Sequence, residues 1–199
     1  MSGDKAASAV RLAGELSGME GAQAWQVYLG YGSNLFIDLG GQVELPGRDK
    51  ARVVGEWTLW VSVAAWRLQD AARVLVACEE PRPVIAEKIT VLKGRRVTAV
   101  TVVPPAMEAV FDFDGVRLLI FPIHSETGSA SAGEQNTEWV VWRPQGDIVS
   151  VCPGSGKAWT VKPSTEPARR KSAPDAPDSG QTNLQTDPAV PGPAERPVR

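Results

Sequence analysis

The chain has 199 residues, a net charge of −2 at neutral pH, 43% hydrophobic residues, two cysteines and one histidine. That length admits one ordinary domain with a real core, and the weak negative charge gives no basic surface of the kind sequence-independent nucleic-acid binding needs. No run approaches the ~18 apolar residues of a membrane span and residues 1–11 lack the apolar centre of a signal peptide, so a cytoplasmic protein with no nucleic-acid or membrane partner is expected.

In chain order, residues 6–16 are Ala-rich with Val10, Ala13 and Leu16 at helical spacing, which predicts a short amphipathic helix ending near Gly18. Residues 25–29 and 35–39 read as strands, and Gly40-Gly41 offers the positive φ of a two-residue hairpin turn, with a return strand over 42–45. A polar loop over 46–50 leads to the longest strand candidate, 57–66. A shorter strand follows over 74–78. Residues 84–92 place Ile85, Ile89 and Leu92 on one helical face before Gly94. A strand over 97–103 is stopped by Pro104-Pro105. Asp114-Gly115, flanked by alternating apolar residues, is a strong hairpin signal. Residues 128–133 read as a flexible loop, and 139–143, 148–151 and 157–161 as closing strands.

From Lys162 to Arg199 there is no Trp, Tyr, Phe or Ile, and eight of the chain's sixteen prolines fall there. Such a segment cannot bury enough apolar surface to offset its ordering entropy, about 1–2 kcal/mol per residue, and is expected to be a disordered tail. The expected organisation is one β-rich domain over 1–161 followed by that tail.

The body reads against itself. Leu16-Ser17-Gly18 parallels Leu92-Lys93-Gly94, residues 37–41 parallel 111–115, and Trp57-Thr58-Leu59-Trp60 parallels Trp139-Val140-Val141-Trp142. The expectation is an α+β fold, mainly antiparallel β, of two pseudo-repeated halves, about 9–78 and 84–161. Each would be a helix plus a β-meander, packed against the other, with any site at their junction.

Catalytic patterns are weak. His124, Ser125 and Glu126 are adjacent, and neighbours on an extended chain point in opposite directions, so they cannot form a triad. Residues 154–158 imitate a phosphate loop but have Val151 where a glycine is required and Ala158 where a Ser or Thr is required. One histidine and two separated cysteines build no ordinary zinc site, and Cys78 and Cys152 read as reduced core thiols. No cofactor and no metal are expected. Asp112 should lie opposite Arg117 across the hairpin, an ordinary cross-strand ion pair.

Seven tryptophans are the unusual feature. On a single strand over 57–66, Trp57, Leu59, Val61 and Val63 face one way, while Thr58, Trp60, Ser62, Ala64 and Trp66 face the other. That second face is another packed layer, the lining of a ligand pocket or an aromatic patch for a protein partner, with the loop carrying Tyr31 and Ser33 beside it. The candidate binding residues are therefore Tyr31, Ser33, Trp60 and Trp66, with Asp38, Asp112 and His124 as polar candidates.

The stretch Gly55-Glu56-Trp57-Thr58-Leu59-Trp60, with Trp66-Arg67-Leu68 after it and Tyr31-Gly32-Ser33 before, resembles small uncharacterised bacterial proteins that carry a Gly-Glu-Trp-x-Leu-Trp strand. The residue bias is similar to that of actinobacterial proteins. That resemblance implies no activity. Two-unit β-rich proteins of this appearance are also similar to immunity proteins of bacterial toxin systems, which act by occluding a partner. The functional expectation is a non-catalytic, immunity-like protein-binding module with a toxin-like protein partner. The alternative is a small-ligand or enzymatic site between the halves, using Tyr31, Asp38 and Asp112.

Overall fold

The computed structural model describes residues 2–46, 50–124, 137–152 and 158–165. The first helix, α1 (Ser2–Leu16), buries Ala9, Leu12 and Leu16, three residues at helical spacing. The face differs from the expected one: Val10 is exposed, because the stripe that meets the core begins one residue earlier. A 3-10 turn over Ser17–Met19 follows, and then β1 (Ala24–Leu29), β2 (Leu35–Leu45), β3 (Arg52–Val61), β4 (Ala65–Gln69) and β5 (Val74–Ala77). The second helix, α2 (Arg82–Lys88), runs into a 3-10 turn over Ile89–Leu92, and Ile85, Ile89 and Leu92 are buried together as the periodicity predicts. Then come β6 (Val97–Val103), β7 (Glu108–Phe113), β8 (Val116–Phe121), β9 (Trp139–Trp142), β10 (Asp147–Val151) and β11 (Trp159–Pro163). The protein is α+β and mostly strand.

The strands form two antiparallel sheets, β1-β2-β3-β9-β10-β11 and β5-β4-β8-β7-β6. Their inner faces share one hydrophobic cluster, in which Phe111 of one sheet meets Trp139 of the other edge-on, ring centres 6.0 Å apart. Asp114-Gly115 makes the two-residue turn between β7 and β8, both residues at positive φ, and Asp112 falls opposite Arg117 in register, but its carboxyl takes Gly115 N and the Thr98 hydroxyl instead of the expected ion pair.

Two expectations fail here. Gly40-Gly41 is no hairpin turn: β2 continues to Leu45, and the register slips between Leu39 and Gln42 against β3, a bulge that absorbs the positive φ of Gly40. The stretch 57–66 is not one strand either. The chain leaves β3 after Val61, crosses to the other sheet and resumes as β4, so Trp60 and Trp66 belong to different sheets.

Read from β1 and from β6, the strand orders are β1-β2-β3-β9-β10-β11 and β6-β7-β8-β4-β5, alike in sequence of use except that β11 has no counterpart in the smaller sheet. Each half therefore builds a meander after its helix and sends its next strands to the other half's sheet. The halves meet at an antiparallel bridge, Gln23 opposite Arg96. Around it Gly21 N donates to Val97 O (2.8 Å) and Gly94 N to Ala24 O (2.7 Å), while Val97 N donates to Ala22 O (3.0 Å) and Ala24 N to Arg95 O (2.8 Å). Adding 73 to, or subtracting it from, each residue number exchanges the members of each pair of bonds. The side chains follow: Gln23 Nε2 donates to Gly94 O and Arg96 Nη1 to Gly21 O. The Trp-x-x-Trp parallel does not follow this order, because β3 and β9 are hydrogen-bonded neighbours, Val61 opposite Trp139, rather than counterparts.

The last strand runs past the expected boundary at Val161. Lys162 and Pro163 pair with Ile148 and Asp147, and Ser164 N donates to Gly146 O at 2.9 Å. The segment 166–199, most of the expected tail, lies outside the described residues, as do the loop at 128–133 and the glycine-rich segment 153–157. Removing 166–199 should leave the melting temperature unchanged, whereas ending the chain at Val161 should lower it by about 4 °C, for a loss near 1 kcal/mol. Thermal melts of the two truncations check this.

Candidate functional site

Strand alternation sends Trp57, Leu59 and Val61 of β3 into the core and leaves Thr58 and Trp60 on the outer face. Registration across β1, β2 and β3 puts Tyr28 opposite Phe36 and Phe36 opposite Trp60. The rings stack nearly parallel, with centres 5.0 Å and 5.5 Å apart, and Trp142 of β9 extends the row at 5.9 Å from Trp60. Tyr28 is 37% exposed, and Phe36, Trp60 and Trp142 are half-buried. On the other sheet the positions across β6, β7, β8 and β4 are Thr101, Val110, Leu119 and Arg67, and the ring beside them, Phe121, lies under the Arg67 guanidinium at 5.3 Å instead of in a stack. The aromatic row is thus a property of one outer face and not of sheet construction in general.

At the end of this row Arg143 bonds Asp147 and Glu15, fastening α1 to the β9–β10 turn. The hydrogen bond from Arg143 holds the Asp147 carboxyl below the ordinary carboxylate range, against an opposing effect of burial.

The residues singled out from sequence are dispersed. Tyr31 is 95% exposed on the loop between β1 and β2. Ser33, on the same loop, offers its carbonyl to Trp66 Nε1 at 3.0 Å. Trp66 is 2% exposed and lies in the core, so it does not extend an outer aromatic face. Arg82 of α2 fastens the same loop through Gly32 O and Leu29 O. Asp38 is 1% exposed and accepts Gly55 N at 2.9 Å and the Thr58 hydroxyl, which fixes the β2 bulge against β3. Asp112 Oδ1 accepts Gly115 N at 2.8 Å and the Thr98 hydroxyl at 3.2 Å, a turn-capping role. Tyr31, Asp38 and Asp112 are not brought into one site.

His124 has a partner that sequence reading misses. Glu138, fully buried just before β9, accepts His124 Nδ1 at 2.7 Å, His124 N at 2.8 Å and Ile123 N at 3.0 Å, all on Oε1. The contact ties the end of β8 to the start of β9. Neither Cys78 nor Cys152 is in a disulfide, and no group of three or more His, Cys, Asp or Glu among the described residues could hold a metal. No helix among them is long and apolar enough to cross a membrane.

A cleft of about 440 Å³ lies beside the bridge between the halves, walled by Gly18, Gln23, Gly40, Glu56, Trp57 and Arg96 among others. Gly18 lets the Trp57 indole approach: a Cβ there would sit 3.0 Å from its ring. Glu56 Oε2 accepts Gly41 N at 3.2 Å.

Fold and surface together define a two-sheet α+β protein with an aromatic outer face and a polar junction cleft. Comparison with protein-family models, with curated proteins and with solved structures finds no match to this chain.

Proposed function

We propose that the protein is a non-catalytic binding module, immunity-like in acting by occlusion, that docks a protein partner on the outer face of the six-stranded sheet. The observation that carries the reading is the stacked row Tyr28, Phe36, Trp60 and Trp142, present on one sheet and absent from the other. Rigid aromatic side chains at a surface supply contact area at low entropic cost, which is why they dominate protein interfaces. The strand orders, alike apart from β11, support reading the halves as duplicated units in which one face has specialised.

Trp60→Ala removes two ring contacts, each worth about 1 kcal/mol, so the domain should remain folded while partner binding is lost. Tyr28→Ala, at the exposed end of the row, should weaken binding with a smaller loss of stability. The measurement is affinity purification of the full chain from its native cells. A protein held by the wild type and by Arg117→Ala, on the other sheet, but lost with Tyr28→Ala and Trp60→Ala supports the reading. A partner indifferent to both substitutions removes it.

A second reading, a small-ligand site between the halves, is favoured by the junction cleft, which brings Gln23, Glu56 and Arg96 together although not Tyr31, Asp38 or Asp112.

A further inference from the structure

The line of the aromatic row continues past Trp142 to the edge of the sheet. Ile148 of β10 stands opposite Trp142 and Lys162 of β11 opposite Ile148, and alternation with the buried Val141 and Val149 puts these residues on the outer face. The described chain leaves from this edge. Ser164 N donates to Gly146 O at 2.9 Å, in the turn between β9 and β10, and Thr165 is the last described residue. Residues 166–199 therefore start at the Trp142 end of the row, three strand spacings or about 14 Å from β3 and Trp60. Eight residues separate Thr165 from Pro174, where the sequence reads Pro174-Asp175-Ala176-Pro177. A linker of eight residues spans about 16 Å on average, and a tethered ligand reaches its highest effective concentration when linker and span match in this way. The later Pro188-Ala189-Val190-Pro191 follows twenty-two residues after Thr165, on a tether of about 26 Å that overshoots the row.

Resting on the reading of this face as a docking surface, we propose that its resident occupant is the chain's own Pro174–Pro177 segment, laid across the aromatic row in cis, so that a protein partner must displace it. Pro-x-x-Pro segments favour the polyproline II helix, in which every third residue returns to the same side after about 9 Å. Two steps along the row, 5.0 Å from Tyr28 to Phe36 and 5.5 Å from Phe36 to Trp60, cover a similar distance. Pro174 and Pro177 can thus rest together on the row, and a preformed helix of this kind loses little entropy on docking against aromatic rings. Contact with half-buried rings on a sheet face is weak, and an effective concentration in the millimolar range fills such a site only part of the time. Partial occupancy adds little to stability, in keeping with the unchanged melting temperature expected when 166–199 is removed.

The test is an NMR comparison of ¹⁵N-labelled full chains. Pro174→Ala combined with Pro177→Ala should shift the Phe36 amide and the Trp60 and Trp142 indole N–H signals, while the Thr101, Val110 and Leu119 amides of the other sheet stay in place. Pro188→Ala combined with Pro191→Ala should leave the row at its wild-type positions. In the reverse direction Tyr28→Ala, at the exposed end of the row, should shift the Asp175 and Ala176 amides. Dilution by about tenfold should change none of these signals, since a contact within one chain does not depend on concentration. Shifts that fade on dilution would overturn docking in cis and assign the face to the tail of a second copy. A row that responds equally to the Pro188 and Pro191 pair would overturn the choice of Pro174–Pro177. Row signals unmoved by either pair would overturn tail docking altogether. The partner reading fails separately, when the affinity purification returns a protein indifferent to Tyr28→Ala and Trp60→Ala.

Discussion

Gly55→Ala should destabilise the domain by about 3 kcal/mol or more and leave little folded protein at physiological temperature. A Cβ at this position would lie 2.3 Å from Trp57 O, 2.5 Å from Leu39 N and 2.8 Å from Leu39 O, all backbone atoms with no rotamer to yield. The close approach is what the β2 bulge requires: with the extra residues at Gly40-Gly41, the two strands draw together and Gly55 N reaches the buried Asp38 carboxyl at 2.9 Å. Urea unfolding of the variant measures the loss. Gly14→Ala is the control, since nothing lies within 4 Å of a Cβ there and α1 should gain about 0.5–1 kcal/mol from losing a mid-helix glycine. A Gly55→Ala protein as stable as the wild type would show that β2 and β3 can separate at the bulge.

The same positions show how far the sequence can be read. The Gly-Glu-Trp-x-Leu-Trp stretch is legible as a strand because its alternation is local, and each of its residues acts differently in the fold. Gly55 admits the β2 backbone, Glu56 caps Gly41 N, Trp57 and Leu59 fill the core, and Trp60 joins the outer stack. Asp114-Gly115 is legible for the same reason, since a two-residue turn depends on its own φ values. Gly40-Gly41 carries an equal signal for positive φ, but a bulge and a hairpin make the same local demand, and only the partner strand, which runs on to pair Leu45 with Arg52, decides between them. The exchange of strands between the halves, and with it the separation of Trp60 from Trp66, depends on where β4 finds its neighbour about fifty residues later in β8. No periodicity carries that information. The aromatic row is half legible: Trp60 stands out on its own strand, whereas Tyr28, Phe36 and Trp142 join it through cross-strand register alone.

Glu138 is the least legible of all, since its donors come from the end of a different strand, and it is the second residue whose loss should be severe. Its Oε1, on a side chain that is itself fully buried, collects two backbone N–H groups, of Ile123 and His124, together with the His124 ring. Glu138→Ala removes the acceptor from two part-buried backbone donors and from the His124 ring, a loss of about 2–3 kcal/mol by the usual cost of leaving such donors without their partner. Glu138→Gln keeps an amide oxygen for the backbone donors and should cost less. His124→Ala leaves Ile123 N and His124 N still satisfied by Glu138 and removes a ring that is about one-third exposed, so its cost should be near 1 kcal/mol. Chemical denaturation of the three variants should therefore rank them Glu138→Ala, Glu138→Gln, His124→Ala in falling order of damage. The ranking separates two roles for the histidine: if His124→Ala proved as damaging as Glu138→Ala, the imidazole rather than the backbone would be what the buried carboxyl group holds in place. In the expected order, the carboxyl joins β8 to β9 through main-chain donors that any residue at 124 except proline would provide, and the chain's single histidine needs no catalytic role to explain its contact.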